Sequence, residues 1–108
     1  MKKISHLEAL KQIISEKPMV VALISDMGCN VCLAITPEIL AMEEHFPEVS
    51  FISLDTKEVP AVVGEHLVFV YPTLILFAEG KETVRYERVF SMLDVEAHIE
   101  RLADLLFS

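Results

Sequence analysis

The run Met19-Val20-Val21-Ala22-Leu23-Ile24 most narrows what this chain can become. Six consecutive apolar residues, three of them β-branched, are too few for a stable helix and lack the alternation of a strand with one face in water. Pro18 closes the run on one side and Ser25-Asp26 on the other. A strand apolar on both faces must be covered on both, so helices are required above and below the sheet that contains it. Thr73-Leu74-Ile75-Leu76-Phe77-Ala78 has the same character. Two such strands within 108 residues predict an α/β layer sandwich, and the length predicts one domain spanning residues 1–108.

The remaining elements follow from periodicity and punctuation. Ser5-His6-Leu7-Glu8 has the capping-box pattern, so a helix is predicted to start at Ser5. Leu7, Leu10 and Ile14 carry its apolar face as far as Lys17-Pro18. Cys32, Ile35, Ile39, Met42 and Phe46 recur at steps of 3, 4, 3 and 4, which predicts a second helix over Cys29 to Phe46. Pro37 lies inside it, removes one backbone donor and is expected to kink it. Val49 to Leu54 predicts a strand, and Asp55 to His66 a loop with room for one helical turn. Glu79-Gly80 reads as a hairpin turn leading to a half-exposed strand, Glu82 to Val89. Ser91 is placed to cap a last helix whose Val95, Ile99, Leu102 and Leu106 share one side. The sheet is expected to be mixed and four-stranded.

Nine Lys and Arg against seventeen Asp and Glu give a net charge of −8, which leaves no basic footprint for nucleic acid or for an anionic membrane. The most apolar stretch, Leu67 to Ala78, is 12 residues long and contains Pro72, whereas a membrane helix needs about 20. Lys2 and Lys3 are followed by an amphipathic pattern, not by a signal-type apolar core, so a cytoplasmic protein is expected. Nothing in the pattern asks for a second copy, and a monomer is expected. The acidic run Glu38, Glu43, Glu44 and Glu48 reads as a solvated helix face.

The only two cysteines stand as Cys29-Asn30-Val31-Cys32, where a buried strand gives way to a helix. A step of three brings both sulfurs to the first helical turn, and the unpaired amides and dipole of that turn favour a thiolate at Cys29. Cys32 lies one turn deeper, on the apolar face with Ile35, and is expected to stay protonated. Such a pair suits two-step thiol–disulfide exchange, in which one thiolate attacks and the other resolves. Two buried, inert cysteines fit the same residues. A zinc site would need two further ligands, and His6, His45, His66 and His98 have no paired spacing near the dithiol; each reads as a solvated or capping residue, and no metal is expected.

The chain resembles the thioredoxin family along nearly its whole length. Cys29-Asn30-Val31-Cys32 matches the family's redox motif, and Pro37 stands where the family carries its kink proline. Asp55 closes the next strand as an acidic residue does there. Tyr71-Pro72-Thr73 matches the cis-proline segment, and Thr73-Leu74-Ile75-Leu76-Phe77 through Gly80 the strand and turn after it. The resemblance implies a thioredoxin fold with helices on both faces of the sheet and with the first family strand short or missing. It also implies a cis bond before Pro72 and a redox-active Cys29–Cys32 pair. Tyr71, Pro72, Gly28, Met27 and Val31 would form the substrate-binding surface. The implied activity is reduction of disulfides in other proteins, with no bound cofactor and with electrons from a separate NADPH-dependent flavoprotein, a thioredoxin reductase.

Several positions depart from the family pattern. The tryptophan before the first cysteine is Gly28, and no proline separates the cysteines. The buried aspartate that accepts the resolving thiol's proton in the family falls on Leu23, its lysine companion on Phe51, and a glycine after the hairpin on Arg88. A rim carboxylate such as Asp26, or water, would then have to take that proton. The alternative function is a binding or redox-sensing module that uses the apolar rim of Met27, Val31 and Tyr71 with little catalysis. A glutaredoxin is disfavoured because Val89 to Asp94 lacks that family's double glycine.

Overall fold

The computed structural model describes residues 1–26 and 28–108. The double-sided strand is where its sequence demands, as β2 (Met19–Ser25) at the centre of the sheet. Val20, Ala22 and Ile24 point into one core cluster with Leu10, Ile14 and Val62. Met19, Val21 and Leu23 point into the other with Ile39, Met42 and Ile99. Burying six such side chains contributes on the order of 10 kcal/mol before entropy is charged, comparable to a whole domain's net stability, so no other placement of β2 competes.

Around it the described residues form a five-stranded sheet in the order β1 (Lys2–Lys3), β3 (Ser50–Asp55), β2, β4 (Thr73–Ala78) and β5 (Lys81–Glu87). β1 and β2 run parallel to β3, while β4 is antiparallel to β2 and to β5. Helices α1 (Leu7–Glu16) and α3 (Ala61–His66) contribute to the first cluster, and α2 (Asn30–Glu43) and α4 (Met92–Phe107) to the second. The architecture is the expected thioredoxin-like sandwich with one more strand than predicted. Lys2 and Lys3, whose exposed side chains carry no hydrophobic pattern of their own, pair with Ile52 and Ser53.

That short strand also displaces the first helix. Ile4 is buried and its amide donates to the Ser53 carbonyl at 2.8 Å, which holds the chain extended. The N-cap is therefore His6, without a side-chain cap, and the predicted Ser5 box does not form. The second helix likewise ends at Glu43 instead of Phe46; Phe46 precedes Pro47, and a residue before proline is disfavoured in the helical region. At α4 the predicted cap is present, with Ser91 Oγ accepting from the Asp94 amide at 3.3 Å. Glu79 and Gly80 have φ of 50° and 84°, the pair of positive values that a two-residue type I′ hairpin requires. His66 departs from the expected solvated state: its ring packs edge-on against Phe77 and its Nε2 is buried with no hydrogen-bond partner among the described residues. Burial holds its pKa below the ordinary histidine value. No helix among the described residues is long and apolar enough to cross a membrane.

Candidate active site

Strand register gathers the chemically distinctive residues at one end of the sheet. β2 and β3 are parallel, and Ser25 lies opposite Asp55, so the loop after β2 and the end of β3 emerge side by side. β4 runs the other way with Thr73 opposite Ile24, which brings its entry segment, Tyr71-Pro72, to the same end. The bond between Tyr71 and Pro72 is cis. Thr73 in turn pairs with Glu87, and the Arg88 amide donates to the Pro72 carbonyl at 2.8 Å. Proline cannot donate to the ladder, and Pro72 sits just before β4 begins, where no donor is needed.

Cys29 is the N-cap of α2, and its sulfur accepts from the Cys32 amide at 3.1 Å. The sulfur thus takes the place of the hydroxyl or carboxylate that usually satisfies such an orphan amide. Both cysteines are free thiols; Cys29 is half-buried and Cys32 is 3% exposed. Burial pushes the Cys32 thiol up to about 12; the Cys29 side chain adds to the rise, and the backbone of Asp26 opposes it. The turn that presents Cys29 is built by Asp26, whose carbonyl accepts from the Cys29 amide at 2.9 Å and whose Oδ1 accepts from the Gly28 amide at 3.0 Å. Within α2, the Thr36 hydroxyl donates to the Cys32 carbonyl at 2.8 Å, one residue before Pro37.

The two cysteines line different spaces. Cys29 lines a groove of about 370 Å³ together with Asp26, Gly28, Phe69, Val70, Tyr71 and Arg88. Cys32 lines a separate cavity of about 170 Å³ with Asp26, Asp55, Thr36, Lys3 and Glu58 among its walls. Asp55 is buried and accepts from the Lys57 amide at 3.0 Å, while Asp26 lies 3.8 Å from Lys57 Nζ. Leu23 and Phe51 are buried apolar residues in the second core cluster, so neither contributes charge behind Cys32. Among the described residues no three His, Cys, Asp or Glu side chains are grouped as metal ligands.

Of the expected substrate-binding residues, Gly28 and Tyr71 share the groove with Cys29. Pro72 is buried and does not line it, and Val31 is exposed on the first turn of α2 without lining it either. Met27 lies outside the described residues. Three groove residues, Phe69, Val70 and Arg88, were not anticipated as site residues from sequence. Phe69 is 74% exposed although it sits in the apolar run Leu67-Val68-Phe69-Val70, and Arg88 stood out only as a departure from a family glycine.

The asymmetry of the thiols has a direct readout. With substoichiometric iodoacetamide the reduced protein is expected to alkylate at Cys29 at least about tenfold faster than at Cys32, because a protonated and buried thiol is a poor nucleophile. Cys32 labelling should remain slow through neutral pH and rise as the pH climbs toward its raised pKa. Fragment-ion mapping of the Cys29–Cys32 peptide decides it, and preferential labelling of Cys32 would overturn the assignment.

Comparison with known proteins places these features in one family. Residues 2–101 match the thioredoxin family model. A thioredoxin-like protein of Bacillus subtilis, YdfQ, is 32% identical over 79 residues, covering 73% of this chain and 70% of that one. Thioredoxin H2 of Arabidopsis thaliana is 39% identical over 80 residues, which are 74% of this chain and 58% of the plant protein. The chain thus spans less than two thirds of that relative's length. The X-ray structure of Fasciola hepatica thioredoxin superposes with a TM-score of 0.86 at 24% identity, over 94% of this chain and 98% of that one.

Proposed function

The chain belongs to the thioredoxin family, and from that premise we propose that it reduces disulfides in other proteins through Cys29 and Cys32. Family and fold support thiol–disulfide oxidoreductase chemistry in general. The observation that carries the finer reading is the split between the sulfurs: one caps a helix and opens onto a groove, the other is buried with a strongly raised pKa.

In the first step the Cys29 thiolate attacks one sulfur of a substrate disulfide. A Cys29–substrate disulfide forms, the substrate S–S bond breaks, and the second substrate sulfur leaves as a thiolate that takes up a proton. In the second step Cys32 loses its proton and attacks Cys29. The Cys29–Cys32 disulfide forms and the first substrate sulfur leaves, so two electrons pass from the dithiol to the substrate. That proton passes to a carboxylate of the cavity that Cys32 lines, whose walls hold Asp26, Asp55 and Glu58. Tyr71, at the entry to β4, offers its backbone to an extended substrate segment beside Cys29. Return to the dithiol requires an external reductant, which we assign to a separate NADPH-dependent flavoprotein reductase.

Insulin reduction by dithiothreitol tests the reading. The parent protein is expected to shorten the lag before insulin precipitates, and Cys29→Ser is expected to leave the lag at the uncatalysed value. A parent protein with no effect would overturn the reductase reading in favour of a non-catalytic binding role.

A further inference from the structure

Among the described residues, the groove beside Cys29 contains one cation, Arg88. Its backbone has φ of 64°, a region that an arginine enters only against steric resistance. It is the centre of a three-residue turn in which the Val89 amide donates to the Glu87 carbonyl at 2.8 Å. Glycine adopts such a φ without strain, so the turn by itself does not account for an arginine here. An internal ion pair does not account for it either. Lys3, Lys11, Lys57 and Arg85 each pair with a carboxylate, whereas Arg88, like Lys2, Lys17, Lys81 and Arg101, is in no ion pair among the described residues. The one carboxylate in the groove, Asp26, is engaged by the Gly28 amide and by Lys57. An exposed arginine with no ion pair among the described residues therefore lines the same groove as Cys29, in a protein whose net charge of −8 otherwise repels acidic partners.

We propose that Arg88 is a specificity residue that selects disulfides in acidic peptide segments, with an Asp or Glu within two residues of the reacting half-cystine. The inference deepens the reductase reading above and rests on it. Side chains two apart on an extended segment point to the same face about 7 Å from one another, a span that a flexible arginine covers. The planar guanidinium matches a carboxylate with two parallel hydrogen bonds, a geometry unavailable to a neutral or basic side chain. The contact adds affinity for the oxidised substrate and leaves the exchange of bonds and electrons as written above.

The test uses three cystine peptides that differ only in Glu, Gln or Lys beside the cystine, reduced by the fully reduced protein and followed by mass spectrometry. At low salt the parent is expected to favour Glu over Lys by about tenfold in kcat/KM, the scale of one attractive against one repulsive charge contact at an exposed site. Half-molar salt should shrink that ratio to about two- or threefold. Arg88→Gly should bring the ratio close to one, Arg88→Lys should keep part of it, and Arg88→Glu should invert it. Equal reduction of all three peptides by the parent, or a ratio unchanged in Arg88→Gly, overturns the assignment of Arg88 while the reductase reading stands. If the parent reduces none of the peptides, the reductase reading falls and this inference falls with it.

Discussion

Cys32→Ser is expected to convert this protein from a catalyst into a trap. Attack by Cys29 needs only the groove and the helix N-terminus, both of which the substitution leaves in place. Release needs the second sulfur, so the Cys29–substrate disulfide should accumulate to near one equivalent. Cys29→Ser should form no such adduct and lower turnover by at least about a thousandfold, because a serine hydroxyl with no adjacent base is a weak nucleophile. Non-reducing gels and intact mass measure both. A stable adduct on Cys32 in the Cys29→Ser variant, comparable in yield to that on Cys29, would reverse the assignment of roles.

Leu23→Asp is expected to have opposite effects on stability and on release. Leu23 is 2% exposed at the centre of β2 and packs with the second core cluster. Removing its packing and inserting a poorly satisfied carboxyl should cost about 3 kcal/mol, a fall in Tm of about 15 °C for a domain of this size. Burial raises a carboxyl's folded pKa above its unfolded value, so the loss should be smallest in acid, grow as pH rises past the unfolded value near 3.9, and level off above the folded pKa. The same raised pKa suits the new carboxylate to act as a base near neutrality. Release of a preformed Cys29–substrate disulfide should quicken about tenfold at pH 7, within the range that general-base catalysis supplies. A variant that is destabilised as expected but releases no faster would mean that Asp26, Asp55 or water already takes the Cys32 proton without limiting the rate.

The dithiol and the helix that carries it were legible because their determinants are local. Cys29 caps α2 since Asp26 turns the chain just before it, and Cys32 is buried since it falls on the face of Ile39 and Met42. The helix start at Ser5 was misread for an equally physical reason. A capping box competes with any other use of the same residues, and here β3 takes Ile4 into the sheet. A two-residue strand such as β1 has too little pattern to be seen, because its neighbours create it.

The apolar runs of β2 and β4, the dithiol spacing and the turn at Glu79-Gly80 depend on near neighbours in the chain, and the sequence by itself determined them. It also determined that the sheet is covered on both faces, because a strand apolar on both sides has no other stable home. Which residues face the dithiol was decided only in three dimensions. Ser25 opposite Asp55, Thr73 opposite Ile24 and Glu87 opposite Thr73 are matters of register. A slip of one residue would exchange the two faces of a strand, so register follows from filling both cores at once and from no single segment. That alignment places Arg88 and Tyr71 in one groove with Cys29, and Asp55 in one cavity with Cys32, groups that the linear sequence leaves far apart.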